Sequence, residues 1–517
     1  MIKKSLKVLF IIFAIVIVGS FNQRVGFCDP SETSPFGSNN AFRGTKGKTS
    51  DYLIDLGVGW ISDHFSRQKI EKMEEGLIVY DFSSIEGKMR EYGEQTQSNA
   101  WFVIQSASKF TFVDGKSIPK TKYFLPAGPI SFEAYEQYLV NLLTYVNTKI
   151  PGWQVRYWSI ENEPHGLYLK AFGSDREGAR EAAEAYAELI ERSHRIIRQK
   201  YPDAKVVFGG PGTKTTDKAY NRFYKKGLEI LKSKDPEGYF DFFDYHNFNS
   251  FQKYKENIQG KGIGYFRQLL ADTGFEGKPI IIKAGATHSG MDALSGSIAV
   301  DYQTEKEQAE HLLKRFIYHV AEGIKLIMWG TIMENKSFGG DPHNFFNFTG
   351  LVYNGVPGPG ECDPAVQQPS PDPGDGIKKL SYYTFKLLNE KTVGSDWDNV
   401  QTVRNGDDNV YIYKLIKRDT GNPIWVVWWD YFDEAGYSPG DIKTITFEVG
   451  EADWTVVTET IPGAESGVYL NDYDYAYFFR TITSPVVEGQ VSVILTEIPI
   501  FIEISDGQGV QALNYPF

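Results

Sequence analysis

An alternation constrains this chain more than any single residue does. Between residues 34 and 392, short apolar runs with strand composition trade places with longer segments that carry helical spacing. The runs are SPFGSN (34–39), GVGWIS (57–62), WFVIQ (101–105), the run ending at Ile160, KVVFGG (205–210), YFDFFDYHNF (239–248), KPIIIKAG (278–285) and IKLIMWG (324–330). Between them, SSIEGKMREYG follows a turn at YDF, and FEAYEQYLVNLLTYVNTK repeats Tyr135, Leu139, Leu142 and Val146 on one face. A helix from about Gly178 to Lys200 keeps Ala183, Tyr186, Ile190 and Ile197 together, and Thr304 with Glu307 forms a capping box that opens a helix closed by Gly323. LSYYTFKLLNEKT supplies the last helix. Short apolar runs are what strands buried on both faces look like. Eight alternating units predict an α/β fold of the (β/α)8 barrel type and exceed what most doubly wound sheets hold.

From about Asn399 the pattern changes to short β-rich runs separated by turn signals: NVYIYKLIK, IWVVWWDYF, TITFEV, TVVTETI and VSVILTEIPIFIEI. These predict an antiparallel β-sandwich. At 517 residues the chain exceeds one ordinary core, so two domains are expected. The expected boundaries are a barrel over 34–392 and a sandwich over 398–510. Residues 340–376 are dense in Pro and Gly (GVPGPG, QPSPDPGDG) and read as a long loop over the barrel mouth, a candidate lid.

Lys3, Lys4 and Lys7 precede the apolar run Leu9–Val18, so residues 1–28 read as an export signal, with an uncleaved anchor as the alternative. The expected location is secreted, periplasmic or cell-surface. With two cysteines there is no disulfide framework, and VGF before Cys28 is a poor match to a lipoprotein signal. A net charge of -12 argues against a nucleic-acid partner, whereas an uncharged polymer would not be repelled. Aromatics make up 15% of the chain, and Trp and Tyr suit sugar rings, although all-β cores use them too. Asp63, His64 and His288 lack short metal-ligand spacing, and GGPG and SFGGD lack phosphate-loop spacing, so no metal or cofactor is expected. Asn347-Phe348-Thr349 matches a glycosylation acceptor.

The chemistry concentrates in YWSIENEP, residues 157–164. The apolar strand through Val155, Tyr157, Trp158 and Ile160 gives out there, and Pro164 stops the ladder because it has no N–H to donate. Glu163 is therefore expected at a strand's carboxyl end, where barrel loops form a cleft. Aromatics such as Trp158 beside it would push the carboxyl group toward its neutral, proton-donating form.

The string W-x-I-x-N-E-P resembles the fourth-strand signature of clan A glycoside hydrolases. That resemblance spans roughly residues 50–510 and implies Glu163 as general acid/base and Asn162 as the group holding the sugar's 2-hydroxyl. It also places His246, in YHNF, and Trp329, ending the eighth strand, in the first subsite. Two departures stand out. The family's strand-seven nucleophile, a second Glu in E-x-G, is here Lys283-Ala284-Gly285, and Trp60 is followed by Ile61, Ser62 and Asp63 where many members have arginine. A retaining glycosidase needs carboxyl groups about 5–5.5 Å apart and an inverting one about 6.5–9.5 Å, and a protonated lysine is no substitute nucleophile. Three alternatives follow: Glu334 enters from the strand-eight loop as nucleophile or base; Lys283 pairs with Glu163 in a site that binds sugar and cuts nothing; or the strand-seven register is displaced. The expectation is a secreted hydrolase acting on β-linked glycans or glycosides, with an oligo- or polysaccharide partner and Lys283 among the binding residues. A carbohydrate-binding pseudoenzyme and an adhesion scaffold are the rivals.

Overall fold

The computed structural model describes residues 34–39, 49–95, 98–108, 132–149, 155–212, 217–255, 262–290, 302–335, 344–355, 374–471 and 474–505. The export segment and most of the 340–376 loop lie outside the described residues. Eight parallel strands close into a barrel: β1 (Phe36–Ser38), β2 (Trp60–Ser66), β3 (Asn99–Gln105), β4 (Val155–Ile160), β5 (Lys205–Phe208), β6 (Phe242–Phe248), β7 (Ile280–Ala286) and β8 (Ile327–Trp329). Closure comes through β1, which pairs with β2 and with β8. All eight expected runs overlap their strand, and β2, β3 and β7 extend beyond theirs.

Side chains sort by strand period. Trp60, Trp101, Tyr157, Val207, Ile281, Leu326 and Met328 pack together inside the barrel, while alternate neighbours such as Trp158, Ile282 and Trp329 join the larger core toward the helices. Helices Phe132–Lys149, Arg176–Lys200 and Glu305–Ala321 stand where the spacing predicts, and the last carries the Thr304–Glu307 capping box. A one-turn helix (Arg67–Ile70) and a hairpin (Glu71–Glu74 with Leu77–Tyr80) after β2 were not legible from the sequence.

The C-terminal domain is one antiparallel sheet of eight strands: β9 (Gln401–Asn405), β10 (Val410–Ile416), β11 (Pro423–Trp429), β12 (Lys443–Glu448), β13 (Trp454–Glu459), β14 (Thr481–Val487), β15 (Gln490–Leu495) and β16 (Ile500–Ser505), in the order β9-β10-β11-β16-β13-β14-β15-β12. It turns over at β14, which pairs first with β13 and, past Pro485, with β15. Ile445, Phe447, Val491 and Val493 thereby face Ile412, Trp425, Val427 and Ile502 across one core, a sandwich built from a curled sheet. Tyr411, Tyr413, Val426 and Trp428, on the opposite face of β10 and β11, join the barrel's core. Both faces of these strands are buried, which explains their unbroken apolar sequences.

Candidate active site

The strand ends open into a pocket of about 300 Å³. Its walls come from most of the barrel: Asn39 after β1, His64 on β2, Gln105 at the end of β3, Asn162 and Glu163 after β4, His246 and Phe248 on β6, Ala284 on β7 and Thr331 after β8. Phe346 and Thr349, in the described part of the 340–376 segment, complete it.

Glu163 is aimed by unusual backbone. Both it and Glu161 occupy the left-handed region (φ 48° and 67°), which costs a non-glycine residue on the order of 1 kcal/mol each. Pro164 begins the helix Pro164–Phe172 with Glu163 at its N-cap. Glu161 holds the turn from below: its buried carboxyl accepts from the Ser106 N–H (2.8 Å) and from the Ser106 hydroxyl, which ties β4 to β3. Burial pushes Glu161 up to about 7, against the lowering effect of Ser106.

His246 sits between two carboxylates, with Nδ1 2.8 Å from Glu163 Oε1 and Nε2 3.1 Å from Asp244 Oδ2. Burial disfavours its charge, but the charge and hydrogen bond of Asp244, aided by Glu163, outweigh burial and raise its pKa. This favours the charged form, in which both ring nitrogens donate. For Glu163 burial is again the largest influence and acts upward. The hydrogen bond from His246 and the charges of His246, His165 and Lys283 overcome it, so the carboxyl lies below its usual range. This reverses the expectation from Trp158, which packs with Phe65 on the helix side of the barrel wall. The two shifts favour the carboxylate at Glu163 and the charged form of His246.

Lys283 lies at the strand-seven position with its Nζ donating to Asn162 Oδ1 (2.5 Å) and to His64 Nε2 (3.1 Å). It bridges β7, β4 and β2 beneath the pocket and reaches Glu163 by charge. Because Lys283 takes the Asn162 oxygen, the Asn162 amide presents N–H donors to the pocket. No carboxylate stands on β7, and among the described residues Glu163 is the only acid lining the pocket.

Two sequence expectations meet a different geometry. Glu334 is nearly buried, accepts from Lys379 Nζ (2.5 Å), and is absent from the pocket wall. Its loop is held by the Glu334 N–H donating to Val352 O, with Gly350 pressed against it where a Cβ would lie 2.2 Å from that nitrogen. Trp329 is fully buried, donates to Thr349 O (2.8 Å), and packs edge-on against His311 and Phe316 of the helix Glu305–Ala321. As the residue one step along β8 from Met328, which points inside, it faces out. The pocket's aromatic walls are Phe248 and Phe346 instead, whose rings meet edge to face. Asn347 and Thr349 are buried, which removes the glycosylation acceptor from the surface.

His64, Gln105 and Asp244 join the site without having been placed there. Asp244 had a signal: it stands two residues before His246, and period two puts both on one face.

An acid-bearing pocket thus opens at the strand ends of a (β/α)8 barrel with a curled C-terminal β-domain, and it is this fold that solved glycoside hydrolases share. Among these are a family 39 glycoside hydrolase from the gut symbiont Bacteroides cellulosilyticus WH2 (TM-score 0.55, 12% identity, covering 92% of this chain and 82% of that one) and a glucosidase from Croceicoccus marinus (0.58, 13%, 91% and 95%). A third is BuGH86wt, solved in complex with neoagarooctaose (0.52, 12%, 93% and 76%). At these identities the likeness is one of fold. No family model matches the sequence, and no curated protein matches it.

Proposed function

We propose that this protein is an exported glycoside hydrolase that takes a β-linked glycan or glycoside into the barrel-mouth pocket. The observation carrying this reading is the convergence of Glu163, Asn162 and His246 on that one pocket. Asn162 donates to a ring hydroxyl, and Phe248 and Phe346 supply apolar faces for the sugar. The charged form of His246 is favoured, so Glu163 becomes an acid by taking that proton across the 2.8 Å hydrogen bond and passing it to the glycosidic oxygen as its bond to the anomeric carbon breaks; water adds to that carbon, and the proton it loses returns through Glu163 to His246.

A second reading, sugar binding without cleavage, is favoured by the cationic Lys283 on β7 and by the pairing of Glu334 with Lys379. A cation near the anomeric centre opposes the positive charge of an oxocarbenium-like transition state. One experiment separates the two: aryl glycosides and polysaccharides are screened for turnover and for binding with wild type and Glu163→Gln. Turnover by wild type that Glu163→Gln abolishes, with binding kept, supports the hydrolase. Binding without turnover in either protein assigns the pocket to recognition alone, and neither binding nor turnover sinks both readings.

A further inference from the structure

Asn162 and Glu163 reach the pocket on a turn whose first residue, Glu161, is buried. The Glu161 N–H still donates to Ile104 O (2.9 Å), and its φ of 67°, with 48° at Glu163, sets Asn162 between two left-handed residues. Such backbone persists where the surroundings over-determine it. Here the restraint comes from the core side. The Tyr186 hydroxyl donates to Ile160 O (2.8 Å), and the Glu161 carboxyl accepts both from the Ser106 N–H (2.8 Å) and from the Ser106 hydroxyl.

Ser106 is itself fixed to a further strand end. Its carbonyl accepts from Arg67 Nη1 (3.3 Å), Arg67 Nε pairs with Glu71 (2.5 Å), and the Ser108 hydroxyl donates to the other Glu71 oxygen (2.5 Å). Arg67, Ser106 and Glu161 are the first residues after β2, β3 and β4, so the turn that aims the acid is tied across three neighbouring strands. Tyr135 and Tyr138 of the helix Phe132–Lys149, Tyr168 of the helix Pro164–Phe172 and Tyr186 of the helix Arg176–Lys200 share the Glu161 field. Burial holds all four phenols far above their usual range, so they are neutral, and the Arg67 charge is met by Glu71. Against burial the Glu161 carboxylate is thus supported by Ser106, and burial prevails, placing it at about 7.

A hydrogen bond to a charged acceptor is roughly twice as strong as one between neutral groups, so the ionised carboxyl holds the strained turn and the neutral one lets it relax. We propose that Glu161 is a positioning residue whose ionised carboxylate keeps Asn162 and Glu163 aimed into the pocket, so that the site works while that carboxyl is charged. The inference rests on the hydrolase reading above. Activity then rises with pH as Glu161 gives up its proton and falls as His246 loses its own. An acid limb set by Glu163 would lie below 4.5 instead, since that carboxyl is held under its ordinary range.

The test is the pH profile of kcat/KM on an aryl glycoside between about pH 4 and 9, with sugar affinity read alongside by calorimetry. Wild type is expected to lose activity below about pH 7. Glu161→Gln, uncharged at every pH, should be roughly tenfold slower in kcat above that value and show no limb there. Ser106→Ala loses the hydroxyl that lowers the Glu161 pKa, so its limb should move up by roughly half to one pH unit, whereas a merely structural loss would slow it equally throughout. Should Glu161→Gln fail to fold, Ser106→Ala carries the test. A wild-type limb below 4.5, a limb near 7 that survives in Glu161→Gln, or an unmoved limb in Ser106→Ala overturns the proposal and leaves the hydrolase reading standing. Sugar binding without turnover overturns the hydrolase reading alone; the same limb is then expected in affinity, because the turn also carries Asn162, and a flat affinity profile overturns the proposal as well.

Discussion

Asp244→Asn tests the electrostatic core of the site in isolation. Asp244 is 1% exposed, and its two oxygens have separate tasks: Oδ1 accepts from the Lys283 backbone N–H (2.9 Å) and Oδ2 faces His246 Nε2 (3.1 Å). Asparagine keeps the shape and the first bond but removes the charge that raises the histidine's pKa. The sign follows from linkage. A histidine whose folded pKa is raised above its ordinary 6.5 contributes stability that is fully present below the unfolded value and is lost as pH rises through the folded one. The low Glu163 pKa does not interfere, because that contribution is present above the ordinary carboxylate value and is lost only as pH falls through the lowered one. A hydrogen bond to a charged partner contributes about 1.5–3 kcal/mol. The variant should therefore lose about 2 kcal/mol at pH 6 and under about 1 kcal/mol at pH 9. Urea unfolding followed by tryptophan fluorescence at the two pH values measures this. An equal loss at both would show that His246 is not held as a cation by Asp244, and the proton path to Glu163 would fall with it.

Three further outcomes follow from the same geometry. Trp329→Ala should cost about 3–5 kcal/mol as a buried large-to-small change while leaving sugar affinity within about twofold by calorimetry, because the ring packs on the helix side. Glu334→Gln removes the carboxylate paired with the fully buried Lys379, which keeps only its bond to the Ser289 hydroxyl (2.9 Å), and should destabilise by about 3–5 kcal/mol in the same unfolding assay, with turnover per folded molecule unchanged. Phe346→Ala, on the pocket wall, should do the opposite, weakening sugar binding roughly tenfold for about 1.4 kcal/mol of lost contact with little change in unfolding midpoint.

The barrel was legible because its evidence is local and repeated. Strand and helix periods are properties of neighbouring residues, and eight of each in alternation leave few architectures. Glu163 and Asn162 were legible for the same reason, since Ile160 ends the apolar run and Pro164 breaks the ladder within a few positions. The sandwich was visible as five runs, but its eight strands were not: VSVILTEIPIFIEI divides into β15 and β16, and β14 carries a proline at the turnover.

What the sequence determined by itself is thus the order of elements and the strand end that bears the acid, because chain-local sterics and apolar spacing decide them. Tertiary structure alone decided the charge state of that acid. Glu163 and His246 are 83 residues apart, and Lys283 and His64 are 219 apart, so the fields that set the protonation exist only once the barrel closes. It also decided which way Trp158 and Trp329 point and which lysine claims Glu334, since a period of two says that neighbours face opposite sides without saying which side is the pocket.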